Sequence, residues 1–570
     1  MSMKKKLRIN ESNARTGLLL AVAFTAALPA WAANHIVSVS GADRLVNLRT
    51  VYPAVGDTVT LPTAEDGCEY KIGNPTIAKM IDANTMEILR PGATSVAYYT
   101  GTSVATWNDC AEVIVPPKPK AGGTVYIWTK VADTADWTNG WHWYNLTAKG
   151  ENNGYPNGVN DVAMVFLNGQ RKWFQINVPS DVTVGSLWMG QVRHQYNSGD
   201  FVERFVGPGT ITFQSSDGPA ELHLLGSCTD GKTHAHVLGY SSDSSKRLKI
   251  NMASSVEADL GFRYGDVSSS SAEFLKFNCV DVTIPEGNTF TVRNIHNGNR
   301  GAALHSLEFT SNSKVIGAGT IINASAATVG RWGDWSAFTG TYIEQGSDHQ
   351  GYNDNNGNLY LTQPSNPDSK LVFRGFPQLA TTSGGSTFHG NMTSWGNFAG
   401  FARFDGTATA NPGNRANFAE MTLAGGFVDF RVDQKAGWED PELVYAPKKL
   451  VVAEGFSGIV VQQSTNEAYP TNILNITDLS NTKGAMLSIR EPMSTNSKTS
   501  TDDVRGYVKV GNFAAHAIGG DGDVVATNRN YKLIPWLISP RTYSGGYSQF
   551  YGVNEDGVLV TAASRKSDRL

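Results

Sequence analysis

Two stretches of this chain repeat each other closely enough to limit how it folds. Trp335-Ser336-Ala337-Phe338-Thr339-Gly340 is followed by Gly346, and Trp395-Gly396-Asn397-Phe398-Ala399-Gly400 by Gly406. Both read W-x-x-F-x-G-x-x-x-x-x-G, and they start 60 residues apart. A weaker third copy, Phe456-Ser457-Gly458-Ile459-Val460-Val461, begins 58 residues after Phe398. A period of this size marks stacked supersecondary units, each burying its apolar face on a neighbour. The aromatic is expected inside, with Gly at the corner. Short strand-like pieces recur throughout, among them Asp161–Phe166, Ile176–Val178, Asp181–Leu187, Gly209–Phe213, Val280–Ile284, Thr289–Val292 and Gly319–Ile322. Strands at short intervals over hundreds of residues indicate a sandwich, barrel or solenoid, and the repetition favours the solenoid.

Composition agrees. Charged residues are 17% of the chain and glycines number 59. Low charge with many Gly, Asn, Ser and Thr belongs to strands and tight turns rather than helices. The expected fold class is all-β. The net charge is -4, which argues against a nucleic-acid partner, since such proteins need a basic face.

The N-terminus reads as a secretory signal at 1–32. Lys4, Lys5, Lys6, Arg8 and Arg15 precede an apolar run from Leu18 to Leu28, and Ala30-Trp31-Ala32 supplies the small residues of a cleavage site. Export is therefore expected, with cleavage before Ala33. No later segment approaches the ~18 apolar residues of a spanning helix, so no transmembrane helix is expected after cleavage. Four cysteines, Cys68, Cys110, Cys228 and Cys279, would enter an oxidising compartment. Two disulfides are possible there, Cys68–Cys110 and Cys228–Cys279 by proximity, although spacing does not fix the pairing. The spacings fit no zinc motif.

Residues 36–115 form a separate block. Val55-Gly56-Asp57-Thr58-Val59-Thr60-Leu61 alternates as a half-buried strand does. Asn74-Pro75-Thr76-Ile77-Ala78, Ile88–Thr94 and Ala111–Val115 follow. This succession resembles the bacterial Ig-like domains of intimin- and invasin-type surface proteins, which implies a β-sandwich spacer or adhesive module without catalytic groups. Pro116–Gly123 is then a Pro/Lys/Gly linker, stiff with a flexible end.

From Thr124 the pattern changes. A Trp-rich opening and cap, 124–190, holds Trp128, Trp137, Trp141, Trp143, Asn145, Asp161 and Phe166 and ends in Asp181–Leu187. The repeats follow over 191–562, with Gly317, Gly319, Phe338, Gly340 and Gly346 and a late Ile534-Pro535-Trp536; 563–570 is a tail. Together these pieces resemble Gram-negative surface proteins that carry autotransporter-associated β-strand repeats. The resemblance implies a right-handed β-helix, or β-solenoid, displayed outside the cell or on its outer surface. A translocator barrel needs many alternating strands, and the residues after 562 leave no room for one. Release, retention by a partner, or a longer parent protein is expected instead.

Several chemistry-bearing residues also admit plainer roles. Trp137, Trp141 and Trp143 could stack on sugar rings, or could cap the open end of the solenoid, which must be covered. His234-Ala235-His236 puts two imidazoles on one strand face, but no third ligand is visible, so no metal is expected. Asp354–Asn358 and Gly519–Asp523 are oxygen-rich turns without a calcium-loop pattern. Asp217, Glu221 and His223, and Asp429, Arg431 and Asp433, alternate along strands as clustered acids in a polysaccharide-cleaving β-helix would, yet nothing in the sequence links them from one rung to the next. No nucleophile elbow, H-E-x-x-H or phosphate loop occurs. The sequence thus points to a non-enzymatic structural or adhesive protein with no catalytic residues and no cofactor, contacting polysaccharide or surface proteins. A secreted polysaccharide lyase or hydrolase, and a non-catalytic carbohydrate-binding protein, are the alternatives.

Overall fold

The computed structural model describes residues 38–39, 44–45, 52–61, 63, 68–100, 107–129, 134–168, 173–193, 201–224, 227–228, 234–239, 243–259, 272–293, 304–310, 312–324, 328–331, 334–344, 360–361, 368–374, 401–404, 419–425, 427–430, 442–461, 471–482, 484–490, 505–518, 533–539, 549–553 and 559–561. The signal segment, the Trp395 copy of the repeat, the two oxygen-rich turns, Arg431, Asp433 and the tail lie outside them. Nearly every described element is a strand, so the all-β expectation holds. Among the described residues no helix is long and apolar enough to cross a membrane.

The chain divides into two compact units, one reaching Pro117 and the other beginning at Lys118. In the first, Thr58–Thr60, Thr85–Ile88 and Ala78–Met80 make one antiparallel sheet, and Cys68–Ile72, Gly92–Thr100 and Trp107–Val115 another. Both contribute to one apolar cluster containing Val59, Tyr70, Ile77, Met86, Ile88, Val96 and Val113.

Parallel pairing dominates the second unit. Among the described residues, Val162–Asn168 lies in a first sheet of 15 strands, Trp173–Asn177 in a second of eight, and Val182–Val184 in a third of six. The cycle then repeats with Ser186–Arg193, Phe201–Val206 and Thr210–Phe213, and continues in that order through Asp334–Phe338. Apart from the two-residue strand Ser227–Cys228, which pairs with Ser186–Arg193, each sheet therefore takes every third strand over this span. Parallel neighbours demand crossovers, and here the other two sheets serve as the crossover. Successive strands of the first sheet start at Ser186, Ala220, Val256 and Thr289, which are 34, 36 and 33 residues apart. One circuit over these residues is thus shorter than the 60-residue spacing of the Trp motif, whose second copy lies outside the described residues.

Parallel in-register pairing stacks like on like. Val182, Ile211, Ile250, Val282 and Val315 oppose one another through the third sheet. Ile176, Phe205, Leu238, Phe277 and Phe309 do so through the second. All are fully buried in one cluster that runs from Trp128 to Leu559, and each such side chain contributes roughly 1.5–3 kcal/mol. Trp335 and Phe338 of the repeat point into it, at 2% and 1% exposure. Gly340 follows at a corner where a Cβ would strike the Gly319 carbonyl oxygen.

One expectation is corrected. Asp181–Leu187 reads as a single strand, but Val182–Val184 and Ser186–Arg193 belong to different sheets. Gly185 is the corner between them, its α-carbon crossing the Asn160 backbone with no space for a side chain. The linker also differs from a free tether at its C-terminal end. Lys120 donates to Ser215 Oγ (2.9 Å) and to the Pro219 carbonyl (2.5 Å), and Asn160 Nδ2 donates to the Ala121 carbonyl.

Candidate functional site

The Trp-rich opening folds as a corner closed by antiparallel strands. Val125–Trp128 pairs with Trp143–Asn145, which pairs in turn with Gly150–Glu151 at the edge of the first sheet. Trp128 thereby faces Trp143, ring centroids 4.9 Å apart and nearly perpendicular, and Trp137 packs on Trp143 at 4.9 Å. The indole N–H of Trp137 donates to the Pro156 carbonyl and that of Trp143 to the Trp137 carbonyl. Trp128, Trp137 and Trp143 are all fully buried, so they fill the core and offer no free face to a ligand.

Trp141 is different. It stands 60% exposed in the 3-10 turn Gly140–His142. Asn139 caps the turn by accepting from the Trp141 N–H (3.1 Å), and His142 donates from Nδ1 to the Asp136 carbonyl (2.8 Å). On the other side the Asn152 N–H donates to the Gly140 carbonyl, from a left-handed corner at φ 58°. Of the three sequence-proposed tryptophans, only Trp141 presents its ring to solvent.

A second constellation sits on the first sheet. Glu221 and His223 alternate with the buried Ala220, Leu222 and Leu224 along one strand. Register then places Trp188, His223 and Asp259 side by side on three consecutive strands, with Arg293 next. His223 Nε2 donates to Glu221 Oε2 at 3.0 Å, and the Trp188 ring stacks on the imidazole at 3.8 Å. Asp259 Oδ2 lies 3.9 Å from Nδ1, an attraction between charges rather than a hydrogen bond. Burial opposes a charge on His223, but the two carboxylates outweigh it and raise the imidazole above its ordinary value. The hydrogen bond from His223 holds the Glu221 carboxyl below the usual carboxylate range, with Lys120 helping. Beside this group Arg293 pairs with Glu257 at 2.9 Å.

Sequence reasoning saw Glu221 and His223 but not the link between rungs. Asp259, Trp188, Glu257 and Arg293 were missed because their proximity depends on circuit length, which no local pattern carries. Asp217 stays apart, exposed in a turn where its carbonyl accepts from Ser215 Oγ. Asp429 is on Phe427–Phe430 in a different sheet. His234 and His236 lie on His234–Leu238, opposite Glu273 and Leu275 on the following strand. Among the described residues no three His, Cys, Asp or Glu side chains converge as a metal site.

Of the four cysteines, Cys228 lies on the short strand Ser227–Cys228. Cys279 is a free, buried thiol at a left-handed corner (φ 55°), its Sγ 3.8 Å from the Asp243 carbonyl and 4.0 Å from Arg247. Cys68 and Cys110 lie on strands that flank Gly92–Thr100, opposite Thr100 and Ala97. Comparison with protein-family models, with curated proteins and with solved structures finds no match.

Proposed function

We propose that this chain is a secreted or cell-surface structural or adhesive protein. It is exported across the inner membrane of a Gram-negative bacterium and displayed outside. An Ig-like sandwich at 36–115 precedes a right-handed β-helix, and the protein works without catalysis by contacting glycans or proteins. One observation carries this reading: parallel strands visit three sheets in a constant order from Val162 to Phe338 around an unbroken apolar core. Parallel crossovers are right-handed almost without exception, which supports the helical sense. Such a scaffold satisfies its backbone internally and sets polar side chains outward, as a surface module needs. The two antiparallel sheets around one cluster support the N-terminal assignment.

The test is incubation of purified Ala33–Leu570 with a panel of soluble polysaccharides and with host or neighbour surface proteins. Retention of an intact polymer or protein supports the proposal. New reducing ends or unsaturated products overturn it. That second outcome belongs to the polysaccharide-degrading reading, which the Glu221–His223–Asp259 group favours because it joins acids and a base from adjacent strands.

A further inference from the structure

We propose that the Trp141 corner is a binding site for neutral hexopyranose polymers; this rests on the glycan-contacting part of the proposed function. Four tryptophans lie between residues 128 and 143, and three of them are sealed in the core while one is 60% exposed. Leaving a large ring in water forgoes roughly 25 cal/mol per Å² of burial. The sequence offers an apolar destination within a few residues on either side, and Trp141 does not take it.

The turn that carries the ring is held in place. The Trp141 backbone N–H is bound by the Asn139 side chain, the Gly140 carbonyl by the Asn152 N–H, and the His142 ring by the Asp136 carbonyl. Gly140 packs closely there: a Cβ would come within 3.2 Å of Asn152 Oδ1 and 3.3 Å of the Gly154 carbonyl. A turn fixed in this way has less backbone ordering left to lose on binding.

The groups around it are hydrogen-bonding and mostly uncharged. Asn139 and Asn152 flank the turn and are exposed. Asp136 begins a row that runs onto the neighbouring strand: Asn177 Nδ2 donates to Asp136 Oδ1 at 2.8 Å, and Gln175 Nε2 donates to Asn177 Oδ1 at 2.8 Å. The ligand that suits an exposed indole beside fixed amides is a flat ring with an apolar C–H face and equatorial hydroxyls. A pyranose has both. The amide row gives successive sugars of a chain further donors and acceptors, so a polymer fits better than a monosaccharide.

The experiment is affinity electrophoresis of Ala33–Leu570, wild type, W141A and W141F, in gels cast with neutral β-glucan, mannan, xylan or polygalacturonate. Circular dichroism confirms that the variants keep the fold; an exposed ring is removable without opening the core. The expected result is retardation of wild type by a neutral hexose polymer, at least tenfold weaker in W141A and largely kept in W141F. Retardation of wild type and W141A alike would overturn this site while leaving a glycan-binding surface elsewhere. No retardation of wild type by β-glucan or mannan, whatever xylan or polygalacturonate does, would overturn it too. A wild type that ignores glycans yet is captured by a surface protein would leave the adhesive reading standing without this site.

Discussion

Replacing His223 with Gln removes one positive charge from between two carboxylates and leaves the sheet itself unchanged. Asp259 is 3% exposed at its side chain and His223 is 15% exposed. Breaking a buried ion pair costs about 3–5 kcal/mol when the remaining charge has no compensation. Asp259 keeps other interactions and Glu221 is 36% exposed, so water screens part of its share, and the expected loss is about 1–2 kcal/mol. The loss depends on pH. His223 is raised in the folded state, so its contribution is complete below the unfolded value of about 6.5 and disappears as pH rises through the folded value. Glu221 is lowered, so its contribution is present above about 4.5 and disappears as pH falls through its folded value. The gap between wild type and H223Q should therefore be widest from about pH 4.5 to 6.5 and narrow steadily above that window. Urea titrations at several pH values, followed by tryptophan fluorescence, measure it. A gap below about 0.5 kcal/mol, or one equal at pH 5.5 and pH 9, would refute the reasoning.

Three further outcomes follow from the packing. Trp335→Ala empties a site enclosed by Phe309, Phe338 and Tyr342 at centroid distances of 5.0, 5.5 and 6.2 Å, and should cost about 3–5 kcal/mol in a denaturant titration. Gly239→Ala demands φ 114° of an L-residue and drives its Cβ into the Asn278 carbonyl oxygen; a loss of at least ~2 kcal/mol is expected, and an unchanged midpoint would contradict the corner geometry. The Cys279 thiol is 3% exposed, so mass mapping after alkylation should find it unlabelled in native protein and labelled in urea. Labelling of Cys279 in the native state would show that its corner opens.

Much of this architecture is legible in the amino-acid order. Alternation along Ala220-Glu221-Leu222-His223-Leu224 assigns inner and outer faces without any coordinates, because successive residues of a strand point to opposite sides. The Trp335 and Phe338 spacing announced an inward pair, and the scarcity of helix-forming windows announced strands. What the sequence withheld is non-local. Asp181–Leu187 looks like one strand, since nothing in it signals that Gly185 must pass over the Asn160 backbone. The four tryptophans look alike in sequence, and only the antiparallel pairing of Val125–Trp128 with Trp143–Asn145 sorts buried Trp137 and Trp143 from exposed Trp141. His223 meets Trp188 and Asp259 because circuits of 34 and 36 residues return the chain to the same height. Strand faces follow from a period of two within a few residues, so the sequence by itself determined them. Register between rungs is set by loops of unequal length and by the stacking of a shared core, and so only the tertiary structure decided which side chains meet.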